Sequence, residues 1–314
     1  MPERAPAVVL RDSTLREALD TPGVEFSLDD RLAIALMLEA LGVREAEVVA
    51  PARVEADLRF AEWLREEELE LEIAGLVYAH RDDCDVEVAH AAPILDRIDL
   101  IMPLSPRRGP RETGRKASML AEAIERSRGD GAVIGAGLPH ASQVEPEVVV
   151  EIAARAAAAG AARLILYDTN GSAEPFEVAA LVTAVRDAVT VPIYFHGHND
   201  LGLAVANAWA AVRAGAAGAD VTLTGLGDRA GNASLEQLAM LLHLRGIETG
   251  LDVSRLPAAC RLVEEVSGVA VSKLAPVVGE YAFDHRSPAH LDVPTEFEAF
   301  DPTLVGSARC KGES

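Results

Sequence analysis

Two imidazoles one residue apart are the sharpest chemical feature of this chain. His196 and His198 lie in FHGHNDLG, at the end of a short β-branched run. Side chains two apart on a strand share a face, so both rings can aim at one point. Neutral imidazole is a common ligand of divalent metals. The pair therefore reads as the heart of a metal centre, for Mg2+, Mn2+ or Zn2+; the plainer alternative is two hydrogen-bonded histidines.

Other polar clusters also fall just after apolar runs. In RDSTLREALDTPG, Glu17 offers a hard carboxylate to the same metal. Arg16 offers a guanidinium fork to a carbonyl or carboxylate oxygen, and Asp12 is read as holding the loop. In TGLGDRAGN, Gly225, Gly227 and Gly231 permit tight turns. Asn232, expected at or near a helix N-cap, can add an amide oxygen. In YDTNG, Asp168 and Thr169 either bind a substrate carboxylate or shape a turn. Glu47, in EVVAP, needs a partner if buried, and Arg16 is the obvious one.

The elements that must position these groups follow from the pattern. Short β-branched runs alternate with longer Ala/Leu/Glu-rich segments of helical period. Strands are expected at 8–12, 45–49, 70–77, 98–102, 132–136, 163–167, 191–196 and 219–224. Helices are expected near 28–41, 54–66, 84–95, 114–127, 146–159, 174–188, 201–214 and 232–244. Eight strand–helix pairs predict parallel strands with right-handed crossovers, and eight is the number that closes a (β/α)8 TIM barrel. An open doubly wound sheet is the runner-up. Active sites of such barrels sit at the C-terminal strand ends, where every motif above falls. The barrel is assigned to residues 1–250. Residues 251–314 read as a helical and Pro/Gly-punctuated extension, a lid or subdomain with a mobile tail, GSARCKGES.

Composition narrows the function. The chain has 314 residues and a net charge of −21, which disfavours nucleic acid and anionic membranes as partners. An anionic substrate would need a locally positive site. Lysine occurs only at Lys116, Lys273 and Lys311, none at an expected strand end, which argues against a Schiff-base mechanism. Three scattered cysteines suggest a reducing compartment and no structural zinc. The N-terminal stretch is too short and polar for a signal peptide, and no run of about 18 apolar residues exists. A cytoplasmic protein is expected.

Taken together, DSTLRE with TPGVEFS, EVVAP, DTNG, HGHNDLGLAVANAWAAVRAGA, GLGDRAGNASLEQL, PVVGEYAFDHRSPAH and FEAFDPTLVG resemble the DRE-TIM metallolyase superfamily, in its homocitrate synthase and 2-isopropylmalate synthase branch. The resemblance covers nearly the whole chain. It implies Glu17, His196, His198 and Asn232 around the metal, Arg16 polarising a 2-oxo group, Glu47 orienting Arg16, and Thr169 binding the 2-oxo acid carboxylate. The implied reaction is a Claisen-type condensation of an acyl-CoA, usually acetyl-CoA, with a 2-oxo acid, giving a 2-hydroxy diacid. His285 and His290 are the candidate catalytic histidines of the extension, and a homodimer is implied.

Several positions depart from that pattern. Ala18 and Asp20 replace a glycine and a glutamine, and His140 and Gln143 stand where an acid and an arginine would be. Arg286 and Pro288 interrupt HESGIH, Phe297 replaces a tyrosine, and Asp228 replaces a glutamate. Asp20, Gln143 and Arg81, which follows the third strand, are the remaining candidates for substrate contact. The losses fall on the distal substrate end and on acid–base groups, which points to a specialised synthase. The alternatives are a metal-dependent C–C lyase or aldolase, disfavoured by the lack of a cysteine in GLGDRAGN, and a non-catalytic homologue acting with a partner.

Overall fold

The computed structural model describes residues 8–51, 54–104, 110–129 and 131–309. Eight parallel strands close into a barrel in sequence order. They are β1 Val9–Asp12, β2 Glu45–Val49, β3 Glu72–Tyr78, β4 Arg97–Ile101, β5 Val133–Leu138, β6 Leu164–Asp168, β7 Ile193–Gly197 and β8 Gly218–Val221. The helices are α1 Thr14–Glu17, α2 Leu28–Leu41, α3 Val54–Glu66, α4 Cys84–Ala91, α5 Pro110–Ser127, α6 Pro146–Ala159, α7 Pro175–Ala188, α8 Ala204–Arg213, α9 Leu235–Leu244, α10 Leu256–Ser267 and α11 Pro288–Asp292.

Local signals set these limits. Ser27 and Asp30 form a reciprocal capping box at the start of α2, and Gly42, at φ 92°, ends it. Pro146 opens α6 and Gly160 closes it in the left-handed region. The outer face of the barrel and the inner faces of the helices form one continuous apolar core, with Leu38, Phe60, Leu120, Val182 and Phe195 fully buried within it.

The inside of the barrel is different. Its middle layer is ionic rather than branched-aliphatic. Arg11 on β1 donates to Asp220 on β8 at 2.8 and 2.5 Å and to Asp99 on β4 at 2.7 Å. Arg163, immediately before β6, joins Asp99 and Glu45 at 2.7–2.9 Å. Gly135 on β5 makes room for them, since a Cβ there would stand 2.0 Å from Asp99 Oδ1 and 2.9 Å from Arg163 Cγ; Gly137, one layer up, faces Ile101 instead, at 2.4 Å.

Most strand and helix ends lie within a few residues of their expected positions, and the two shifts that matter for the mouth of the barrel are at β8 and α9. The eighth strand stops at Val221, because Thr222 Oγ1 donates to Leu226 O and Thr224 takes a left-handed turn at φ 60°. The following helix starts at Leu235, so Asn232 precedes its N-cap by two residues and is not a cap. In the extension, α10 packs on α2, and Phe283 and Phe300 meet edge to face at 5.4 Å beside the core. In the tail read as mobile, Arg309 pairs with Glu298 and Asp301 at 2.8 and 3.1 Å; residues 310–314 lie outside the described residues. No helix among the described residues is long and apolar enough to cross a membrane.

Candidate metal centre and active-site cleft

The cleft lies at the C-terminal mouth of the barrel, where three segments are stitched together. After β1, the Asp12 carboxylate accepts from Thr14 N at 2.8 Å and Thr14 Oγ1 at 3.0 Å, which turns the chain into α1 and fits the loop role. The turn leaves Arg16 and Glu17 buried and facing the mouth. After β7, His198 forms an isolated antiparallel bridge with Asn232. Asn199 N donates to Gly231 O at 2.9 Å, and Ala233 N to Gly197 O at 3.2 Å. The glycine-rich loop thus lies along the HGH segment as a short backbone ladder. Gly227 is needed there, because a Cβ would stand 2.6 Å from Asn232 Oδ1.

Glu17, His196 and His198 each present a ligand atom within 4.8 Å of the others, and all three are buried. His196 Nε2 is 3.3 Å from Glu17 Oε1 and 3.4 Å from the Asn232 side-chain amide. His198 Nδ1 and Asn232 Oδ1 are buried and make no hydrogen bond, a cost that a cation would remove. Charge points the same way. Five buried carboxylates, Glu17, Glu45, Glu47, Asp99 and Asp220, share the interior with three buried guanidiniums, Arg11, Arg16 and Arg163. Two oxygen donors and two imidazoles beside that excess suit a divalent ion.

The titration behaviour reflects the crowding. Burial alone would push the His196 imidazole down, but hydrogen bonds to Asp220 and Glu17 and their charges raise it to about 9. His198 goes the other way, to about 4, through burial and the charge of His196. Glu17 is held well below the carboxylate range despite burial, chiefly by Arg16. Arg16 is ion-paired with Glu17 at 2.6 Å and hydrogen-bonded through Nε to Glu47. Glu47 is fully buried beneath it and also 3.2 Å from Arg11.

The cleft has a volume of about 320 Å³. Besides Arg16, Glu17, His196 and His198, its wall includes Asp20, Thr169, His140 and Tyr167. Thr169 Oγ1 accepts from His140 N at 2.8 Å, which holds His140 at φ 66° over the mouth. Asp168 lies behind the wall. Its carboxylate accepts from Ser142 Oγ, Gln143 Nε2, Ser172 N and Ala173 N at 2.7–3.3 Å, which makes it the brace of its loop.

The remaining candidates sit elsewhere. Gln143 is turned to Asp168 and Ser142, away from the mouth. Arg81 is half-exposed beside Asp83 and Glu87, at 3.5 and 3.7 Å. In the extension, His285 faces Glu298 at 3.4 Å and His290 stacks on Phe297 at 3.8 Å; neither histidine lines the cleft of its own barrel. Sequence reasoning missed Arg11, Asp99, Arg163 and Asp220. The available signal was a charge at an inward, period-two position of an otherwise apolar parallel strand. It also missed Arg229, which ties Asp200 at 2.7 Å to Thr169 O at 2.8 Å across the mouth.

Comparison with known proteins adds to this geometry. Residues 7–263 match the HMGL-like family. The chain is 36% identical over 320 residues to a probable 2-isopropylmalate synthase of Methanopyrus kandleri, covering 98% of this chain and 62% of that protein's length. It is 32% identical over 311 residues to homocitrate synthase 1 of a Nostoc species, covering 96% of this chain and 82% of that one. The barrel superposes on an HMG-CoA lyase from Brucella melitensis with a TM-score of 0.72 at 20% identity, over 84% of this chain and all of that one, which is a likeness of fold.

Proposed function

The chain belongs to the HMGL-like family, and from that premise we propose that it condenses an acyl-CoA, acetyl-CoA foremost, with a 2-oxo acid to give a 2-hydroxy diacid. A proton leaves the carbon next to the thioester carbonyl, that carbon bonds to the ketone carbon, and hydrolysis of the thioester releases the CoA thiol. The observation that carries the reading is the convergence of Glu17, His196, His198 and Asn232 beside Arg16 at the floor of one cleft. The relatives named as 2-isopropylmalate and homocitrate synthases support the condensing direction over C–C cleavage.

Glu17, His196, His198 and Asn232 would hold a divalent metal, with Mg2+, Mn2+ and Zn2+ all compatible with the donor set. Its chemistry when bound is that of a Lewis acid toward the ketone. Arg16, fixed by Glu47 and Glu17, directs its guanidinium at the oxygen on which negative charge develops. Thr169 and Asp20 line the wall where the 2-oxo acid carboxylate and its neighbours would lie. We assign His285 and His290 to the cleft of a second copy in a homodimer. Neither lines the cleft of its own barrel, which supports this, as do the exposed apolar side chains of the extension, Leu274, Leu291, Val293 and Phe297. Acyl-CoA chemistry and the buried, unpaired Cys84 and Cys260 favour the cytoplasm.

The test is free-thiol release from acetyl-CoA against a panel of 2-oxo acids, with each metal and a chelator control. Metal-dependent release, lost in His196→Ala, is the expected result. Silence across the panel with metal still bound would overturn the condensing role and favour a non-catalytic homologue.

A further inference from the structure

We infer that the Tyr167 hydroxyl is a second, uncharged donor, alongside Arg16, to the ketone oxygen of the bound 2-oxo acid; this rests on the condensation proposed for the cleft. Tyr167 is on β6, in register with His196 on β7, and it lines the cleft together with Arg16 and Glu17. Its ring is pinned on two sides. The imidazole of His196 lies 4.6 Å away, centroid to centroid. Gly137 on β5 makes the room on the other side, since a Cβ there would stand 3.1 Å from Tyr167 Cε2 and 3.4 Å from the hydroxyl oxygen. The side chains of Leu76, Ile101 and Ile165 cluster with the ring and offer the hydroxyl no polar atom.

The hydroxyl has nothing to bond. Tyr167 is 6% exposed, and among the described residues its oxygen has no hydrogen-bond partner. A buried hydroxyl left unpaired costs stability, and folded proteins keep few of them. Acceptors are near enough to be felt: after burial, the charge of Glu47 acts most strongly on the phenol, ahead of those of Asp220 and Asp99. The hydroxyl donates to none of these carboxylates. Each is already held by a guanidinium, Glu47 by Arg16, Asp220 by Arg11, and Asp99 by Arg11 and Arg163. Arg16 is itself engaged by Glu17 and Glu47 and lies within electrostatic reach of the phenol. The ketone oxygen that Arg16 polarises must lie in the same cleft, beside a buried donor that no protein group has taken. As the new carbon–carbon bond forms, the π pair of the ketone moves onto that oxygen. The phenol stabilises it by a hydrogen bond and keeps its own proton. Its ring is fixed beforehand, so the donor needs no reorganisation at that moment.

The test is Tyr167→Phe, which removes the hydroxyl and keeps the ring. Thiol release with the best 2-oxo acid of the panel should lose about 100-fold in kcat, the scale of one donor to an oxyanion, with KM for that acid within about threefold. Metal affinity should be unchanged. The urea midpoint should equal or exceed that of the wild type, because the lost hydroxyl is unpaired before substrate binds. A second readout needs no turnover. Oxalate has the outline of a 2-oxo acid with an anionic oxygen at the ketone position, and it is titrated calorimetrically into the Mg2+-loaded protein. Tyr167→Phe should weaken its binding at least about tenfold, the scale of one charge-assisted hydrogen bond. Unchanged kcat or unchanged oxalate affinity overturns the inference. So does a loss confined to KM, or a parallel fall in metal affinity, which would place the effect in His196. If oxalate binding weakens as expected while the wild type releases no thiol with any 2-oxo acid, the condensing role falls and Tyr167 stands as a donor to a bound anion.

Discussion

Asp220 Oδ2 lies 2.9 Å from His196 Nδ1 while the same carboxylate accepts from Nε and Nη2 of Arg11. The contact directs the opposite ring nitrogen, Nε2, at Glu17 and Asn232. A carboxylate behind a metal-binding histidine fixes the ring and strengthens it as a donor. Asp220→Asn keeps the shape and removes the charge. Metal affinity should fall about 10- to 100-fold, read by competition with a chromophoric chelator, with the far-ultraviolet circular dichroism unchanged. Unaltered affinity would mean that Asp220 serves Arg11 alone.

Much of this arrangement was legible in the sequence, for identifiable reasons. The spacing His196-x-His198 fixes a common face on any strand, so the pair could be placed before the fold was known. Helices such as α2 and α6 matched their expected spans because caps and glycines mark their ends. Asp220, Asp99 and Arg163 were not legible as a group. Each is a single charge on a short strand, and only barrel closure brings residues 11, 45, 99, 163 and 220 into contact. Asn232 is near the helix N-cap, as its loop implies, but two residues before it, because the chain first makes the turn at Thr224, whose N–H donates to Glu236 at 3.1 Å. The extension was hardest, since His285 and His290 carry no local signal for which surface they face.

Arg16 is the group whose shape matters most. Its Nε is directed at Glu47 and its Nη2 at Glu17, so the plane of the guanidinium is fixed before any substrate arrives. Lysine keeps the charge but not the fork. Arg16→Lys should lower kcat by about 100- to 1000-fold, the range seen for loss of one donor to a developing oxyanion, while metal affinity changes little. A fall confined to KM would assign Arg16 to ground-state binding instead.

Asp12 gives a pH signature of folding. Burial raises its carboxyl from 3.8 to about 7, the charges of Glu236 and Asp220 adding to the effect and the Thr14 hydrogen bonds opposing it. Between those values the folded chain holds a proton that the unfolded chain has released. Stability from this group therefore falls as pH rises from about 4 to 7, by up to about 1.4 kcal/mol per pH unit, and is flat above. His198, lowered to about 4, contributes the opposite slope up to its unfolded value near 6.5, so the difference from Asp12→Asn is the quantity to follow. In chelator-treated protein unfolded by urea, Asp12→Asn should gain on the wild type steadily between pH 4.5 and 6.5. Parallel midpoints across that range would refute the assignment.

Gly227 tests whether Asn232 acts through its position. A Cβ there would stand 2.6 Å from Asn232 Oδ1 and 3.1 Å from Asn232 Cγ, closer than packed atoms approach. The backbone at Gly227 is not left-handed, so alanine brings no strain of its own and its effect should be delivered through the amide. Gly227→Ala should weaken metal binding about tenfold, as expected when a supporting contact to a metal site is disturbed, with a loss of stability of about 1–3 kcal/mol from overpacking. The decisive measurement is a double-mutant cycle. If the methyl acts by displacing Asn232, adding Gly227→Ala to Asn232→Ala should cost almost no further metal affinity. If the two losses add in full, the methyl disturbs Glu17, whose Oε2 lies 3.5 Å from the same Cβ, and the amide is not the group that Gly227 makes room for.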